Sequence, residues 1–344
     1  MSFRFRPAVV VPAVVAAVLA VAYSVYWFHV AGEIRKGFEQ WRDDRRAAGW
    51  TVDGHGPVVS GFPGAIHLNL EAPRLAAPGG FAWHGPRLSA RVSPFDLTRV
   101  RLDLAGRHKL TVAGTEMGID AVSLDLMIHL TRDGSLDDAT LTTTGTQVVA
   151  AGFGRLEVAS LAATLDPLEV PMPGHDTPTV VVAAAAQGIE LPAIPGLVLD
   201  RQIGLVDIKA RVLGPIPTAA PADAVARWSA DGGVVELDRV ALDWAPLGLE
   251  GEGTLALDPH LQPLAALSAR VRGYGEFMDR LARSGVIEPG PANAAKVFLG
   301  LMAKPDPRGR PALPVPVTVQ DGWLSIGPAR VLSVPPLAWP AEHR

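Results

Sequence analysis

The chain has 344 residues, 48% of them hydrophobic, a formal net charge of −4 and no cysteine. Absent thiols exclude disulfides and cysteine-based metal or nucleophile sites. Scattered arginines in a mildly acidic chain lack the concentrated basic stripe of a nucleic-acid binder, so no nucleic-acid partner is expected.

Residues 1–7 form a short basic tail with Arg4 and Arg6. From Ala8 to Val30 no Asp, Glu, Lys or Arg interrupts an apolar run. As a helix it spans about 34 Å at about 1.5 Å per residue, enough for a hydrocarbon core of about 30 Å. Tyr23, Tyr26 and Trp27 crowd its far end, where amphipathic rings favour the headgroup layer. A transmembrane anchor over 8–31 follows, with the lipid bilayer as its partner. Ala20-Val21-Ala22 has the form of a signal cleavage site, but apolarity continues through Val25, Trp27, Phe28 and Val30, and the reading is an uncleaved anchor.

Orientation has arguments on both sides. Two cations precede the run and five follow it (Arg35, Lys36, Arg42, Arg45, Arg46), which by count alone places the body in the cytoplasm. Long domains translocate largely regardless of charge, and a short basic tail ahead of one long run has the pattern of a signal anchor. The expected orientation is outward, with the body outside the cytoplasm.

Residues 32–49 read as an amphipathic helix. Ile34, Phe38 and Trp41 recur at helical spacing, and Gly49 is a natural stop. Its cations are interspersed with Glu33, Glu39, Asp43 and Asp44 and read as a solvated face.

From Trp50 the texture changes to period two. Residues 50–213 form a first β-rich half, including Ile66–Leu70, Val100–Leu104 and Val122–Leu130. In the last of these Leu124, Leu126, Ile128 and Leu130 share one face, the candidate apolar face. Asp133-Gly134 predicts a hairpin into a strand from Leu136 to Thr144. The Pro-rich stretch 214–221 reads as a linker. The second β-rich half, 222–344, contains a short helix at Asp223–Trp228. Its strands include separate ones at Val234–Leu237 and Val240–Trp244, and a final pair joined by Gln320-Asp321-Gly322. Helices are expected at about 276–303, with Val297, Phe298, Leu301 and Met302 as a stripe packed on the sheet. The fold class is mainly β: an N-terminal transmembrane helix plus amphipathic helix, then curved antiparallel sheet with one short helical pair near the C-terminus.

Chemistry is sparse. No two histidines have metal-ligand spacing, no Gly-x-Ser-x-Gly elbow occurs, and Gly251-Glu252-Gly253 lacks a third glycine. His67 and His129 fall on polar strand faces and His84 in a Gly-Pro loop; Asp137-Asp138 and Glu250 with Glu252 read as solvated acids. No catalytic, cofactor-binding or metal-binding residue is predicted, and no cofactor.

The anchor with Gly49-Trp50 and Val59-Ser60-Gly61-Phe62-Pro63 forms one distinctive stretch. A second runs from Leu242-Asp243-Trp244 through Gly248-Leu249-Glu250-Gly251-Glu252-Gly253-Thr254-Leu255 to Arg272-Gly273-Tyr274, followed later by Asp321-Gly322-Trp323 and Gly327-Pro328. Together they resemble the bacterial family catalogued as domain of unknown function 2125, which implies no established activity and so no catalytic residues. The Gly-x-Gly-Thr-Leu strand texture is more weakly similar to AsmA-type envelope proteins, which implies an inner-membrane anchor and lipid handling. Physically, Gly61 permits positive φ and Pro63 ends the ladder, so Ser60–Pro63 reads as a turn with Phe62 as plug. Gly248, Gly251 and Gly253 read as a kink or bulge, with Trp244 packed at the bend.

One-sided alternation on a single tether predicts an apolar sheet face that binds a lipid or another apolar envelope component. The alternatives are a face fully covered by the helical pair and Pro-rich segments, making a scaffold for envelope proteins, or a hydrolase without a recognisable motif.

Overall fold

The computed structural model describes residues 7–78, 80–112, 114–150, 154–217, 221–306, 309–327 and 329–334. Arg4 and Arg6 of the tail, part of the 214–221 stretch and Pro328 lie outside them. The two helices expected at the N-terminus are one, the 41-residue α1 (Pro7–Ala47). The change at residue 32 is one of surface, from apolar to mixed, and no proline or lost backbone bond marks it. The helix ends where Gly49 takes φ +82° and the Trp50 amide donates to the Arg45 carbonyl, a left-handed closure.

The sheet begins with β1 (Thr51–Ser60), β2 (Ile66–Ala77), β3 (Phe81–His84), β4 (Arg87–Ser93), β5 (Asp96–Asp103) and β6 (Gly106–Val112). Long strands follow: β7 (Thr115–Leu130), β8 (Leu136–Ala150), β9 (Gly154–Pro167), β10 (Pro178–Glu190) and β11 (Gln202–Leu213). After α2 (Pro221–Ala230) come β12 (Val235–Trp244), β13 (Leu247–Leu257) and β14 (Pro263–Arg272). The helices α3 (Tyr274–Arg283) and α4 (Pro289–Met302) precede β15 (Lys304–Pro305), β16 (Pro311–Gln320), β17 (Trp323–Ile326) and β18 (Ala329–Ser333).

Every pairing is antiparallel. β1 pairs with β2, whose first half pairs with β4 and second half with β3. β4 and β3 continue to β5 and β6, and both of these pair with β7. From β7 to β14 spatial order is sequence order. β14 then pairs with β16, and β17 and β18 close the ladder. Such a meander follows from short turns such as the one at Gly134, at φ +87°, since tight turns leave consecutive strands no neighbour but each other.

Three local expectations are corrected. Val234–Leu237 and Val240–Trp244 are not two strands but one, β12, because the residues between them form a bulge that keeps the ladder going. His84 ends β3 and does not sit in a loop. The apolar stripe of α4 is not packed on the sheet: Val297 is 67% exposed and Leu301 83%. α4 turns Ala292 inward instead, at 1% exposed. Across 214–221, β11 and β12 pair directly, from Leu205↔Asp243 to Val212↔Val235.

Candidate functional site: an uncovered apolar strip

The register aligns apolar residues across the whole sheet. One row of directly opposed residues runs Val59–Leu68–Ala90–Leu102–Leu126–Leu141–Ala163–Ala184–Ile208–Val240–Gly251–Ala269–Val315, without one polar side chain. The next row on the same face runs Ile66–Val92–Val100–Ile128–Ala139–Leu165–Val182–Ala210–Leu237. At about 4.8 Å per strand, the first row extends about 58 Å along the sheet. Leu124, Leu126, Ile128 and Leu130 all lie on β7; Leu126 belongs to the first row and Ile128 to the second, and Leu124 continues the same face beside them, opposite Thr143.

The strip is half-buried, not closed. Leu102, Leu126, Leu141, Ile208 and Val240 are all of intermediate exposure. α1 packs at β1 and β2, α2 at the end of β11 through Trp228, and α4 at β16, and among the described residues no helix packs to any extent on β7–β10. The opposite face carries cross-strand ion pairs: Arg101 with Asp125 at 2.9 Å, Arg239 with Asp207 at 3.0 Å, Arg272 with Glu250 at 3.2 Å. Charge and apolarity are therefore sorted onto two faces.

A bend crosses the strip. Leu124, Leu126 and Ile128 belong to the apolar face, yet nearer the start of β7 the shielded positions are Ile119 and Ala121, and Val122 is 79% exposed. Beside it Gly145 takes φ +55°, and Gly188 on β10 takes φ +60°. A Cβ on Gly145 would sit 2.8 Å from Val122 Cγ2, and one on Gly188 2.8 Å from the Ala159 Cβ. Left-handed residues at matching levels shift the alternation by one, so apolar residues stay on the same side beyond the bend.

The glycines singled out from sequence serve packing. A Cβ on Gly253 would lie 2.2 Å from the Ala266 carbonyl oxygen, and one on Gly251 2.9 Å from that of Ser268. Both face the β12 bulge between Leu237 and Val240, and Gly248 pairs with Arg272. Trp244 ends β12 opposite Leu247, next to the Asp243–Gly248 pair, and its indole N–H donates to the Asp200 carbonyl at 2.6 Å.

At the membrane end the strip meets α1. Trp27 (2% exposed), Val30, Ala31 and Ile66 (1%) form a closed cluster flanked by Tyr23, Ile34 and Val59. The Trp27 indole N–H donates to the Gly64 carbonyl at 2.8 Å, the Tyr26 hydroxyl to the Pro94 carbonyl at 2.6 Å, and the Tyr23 hydroxyl to the Pro63 carbonyl. Phe62 does not plug the sheet. It stacks on Phe28 at 5.3 Å and meets Trp27 edge-on at 5.5 Å, because Gly61 at φ +109° turns the chain toward the helix. Phe95, in the turn between β4 and β5, was not distinguished by sequence and stacks on Tyr23 at 5.7 Å. Its one local signal is the preceding Pro94. Thr98 holds this turn through its hydroxyl bond to Asp96, and that bond keeps the Asp96 carboxyl below the ordinary carboxylate range. Just beyond, Ile34, Phe38, Ile66, Leu68, Ala90, Val92, Leu97 and Val100 line a cavity of about 260 Å³ where the two rows begin.

His129 pairs with Asp138, and Glu250 accepts from Arg272 on the charged face. Among the described residues no cluster of His, Asp or Glu is arranged to hold a metal ion.

Fold and site together define an antiparallel β meander with one uncovered apolar face, led by an N-terminal helix long and apolar enough to cross a membrane. Residues 27–335 match the model of the family described as "Uncharacterized protein conserved in bacteria (DUF2125)", and the chain belongs to that family. No curated protein and no solved structure matches it, and a likeness to AsmA-type proteins is not shown.

Proposed function

We propose that α1 anchors the chain in the bacterial inner membrane with the body in the periplasm, and that the strip binds the acyl part of a lipid or another apolar envelope component. The observation that carries this reading is the pair of unbroken apolar rows left half-exposed on an uncovered face. An exposed apolar area of this extent is unusual for a monomer and marks a binding surface. Each methylene taken from water there contributes about 0.8 kcal/mol, so an acyl chain of about twelve could outweigh its own immobilisation. The short basic tail supports the outward orientation.

A photoreactive side chain placed at Ile208, and in a second variant at Lys209 on the charged face, tests the reading in native membranes. Irradiation is expected to couple lipid at position 208 and not at 209. Equal coupling at both, or none at either, removes the lipid reading. A second reading, an envelope scaffold, draws on the exposed α4 stripe, and protein adducts without lipid at position 208 would favour it. A reporter active only outside the cytoplasm, fused after Arg344, checks orientation; activity of a cytoplasmic reporter alone would reverse it.

A further inference from the structure

The apolar run is longer than the part of α1 that stands free. From Val14 to Ala22 every residue is exposed, whereas from Tyr23 onward one side of the helix is occupied by the body. The apolar run ahead of Tyr23, from Ala8 to Ala22, is about 15 residues, or about 22 Å as helix. A hydrocarbon core of about 30 Å needs about 20 residues, which carries the boundary to about Trp27 and Phe28. Arg4 and Arg6 prevent the helix from sliding the other way to make up the difference. The level of residues 23–28 is therefore shared between bilayer and body.

The two turns at that level are built for it. Phe95 is 77% exposed and Phe62 46%, and Phe28 and Tyr26 beside them are 60% and 42% exposed. Their backbones are tied to the anchor by the Tyr23, Tyr26 and Trp27 hydrogen bonds, so the rings cannot swing away from the helix. Directly after Phe95, Asp96 and Arg99 pair at 3.5 Å, placing charge where headgroups would lie. Aromatic rings with polar neighbours on one side suit the membrane interface, where ring faces meet acyl carbons and polar atoms stay wet.

We infer that the β1–β2 and β4–β5 turns, through Phe62 and Phe95, sit in the interfacial layer of the bilayer and hold the first strands of the sheet on the leaflet surface. Ile34 lies about four residues past Val30, so the cavity at the start of the two apolar rows stands within about 10 Å of that layer. The strip thus begins at the membrane and leads away from it. This rests on the anchor reading and is independent of whether acyl chains occupy the strip.

The natural chain has no cysteine, so single-cysteine variants report cleanly. The full chain is reconstituted in phosphatidylethanolamine–phosphatidylglycerol vesicles as Phe95→Cys, with Glu116→Cys beside the β6–β7 turn and Ile194→Cys in the β10–β11 connection as references at the opposite ends of the strands. Each carries a nitroxide, and its accessibility to oxygen is compared with that to a water-soluble nickel chelate. The ratio at position 95 is expected to exceed both references several-fold, with Phe62→Cys showing the same. Vesicles that float with the protein while position 95 matches the references would overturn the seat and leave the anchor standing. Protein that does not float with the vesicles would overturn the anchor, and the seat with it. Phe95 has few protein neighbours to lose, so its variant decides the matter even where Phe62→Cys fails to fold.

Discussion

The end of the strip at α1 and its middle are built from the same residue types and behave differently. Where α1 meets β1 and β2, Trp27 and Ile66 are almost wholly removed from water. A few strands on, Leu126 and Ile208 face the same way and are only partly covered. The difference is the presence of a helix on one and not on the other. The anchor's docking site is thus a closed cluster, while the middle of the sheet is held by hydrogen-bond ladders and cross-strand neighbours. A protein that spent its apolar face on a closed core would have nothing left to offer a ligand.

The contrast can be broken most forcefully at the closed end. Trp27→Ala removes a large buried ring and its bond to Gly64, and should cost about 3–5 kcal/mol in thermal or chemical denaturation of the detergent-solubilised protein. A body trimmed to begin at Glu33 would lose Val30 and Ala31 as well and leave Ile66 wet. Gly61→Ala comes next. Its methyl would fall 1.9 Å from the Ala65 carbonyl oxygen at φ +109°, so a loss of about 2–3 kcal/mol is expected, read in the same melts. A neutral result would show that the turn can relax and that Phe62 is not fixed against α1.

In the open strip, Ile208→Asp should cost only about 1–2 kcal/mol, since the carboxylate can stay hydrated. The same variant should abolish coupling of a photoactivatable acyl lipid. If instead it destabilises as strongly as Trp27→Ala, the strip is a closed core and the contrast drawn here collapses. The smallest effect belongs to the charged face. Arg239→Ala removes an exposed cross-strand ion pair and should change stability by less than about 1 kcal/mol, with acyl coupling intact. Lost coupling in that variant would move the binding surface to the wrong side of the sheet.

Much of this was legible without the structure. The length and charge-free character of Ala8–Val30, the sorting of Leu124, Leu126 and Ile128 from Asp125 and Met127, and the Asp-Gly turns are local properties of a chain, and they determined the apolar helix and the mainly β meander. The tertiary structure decided the rest. Strand periodicity states which residues share a face but not whether anything lies on that face, so the stripe on α4 was read as packed when it is exposed. Register decided that the apolar residues of separate strands align into continuous rows, and the left-handed Gly145 and Gly188 decided that the apolar face continues past the bend beside them. The aromatic contact between Phe95 and Tyr23 joins residues far apart in sequence. No local pattern encodes such a contact, because it exists only once the helix and the second hairpin turn have come to the same level.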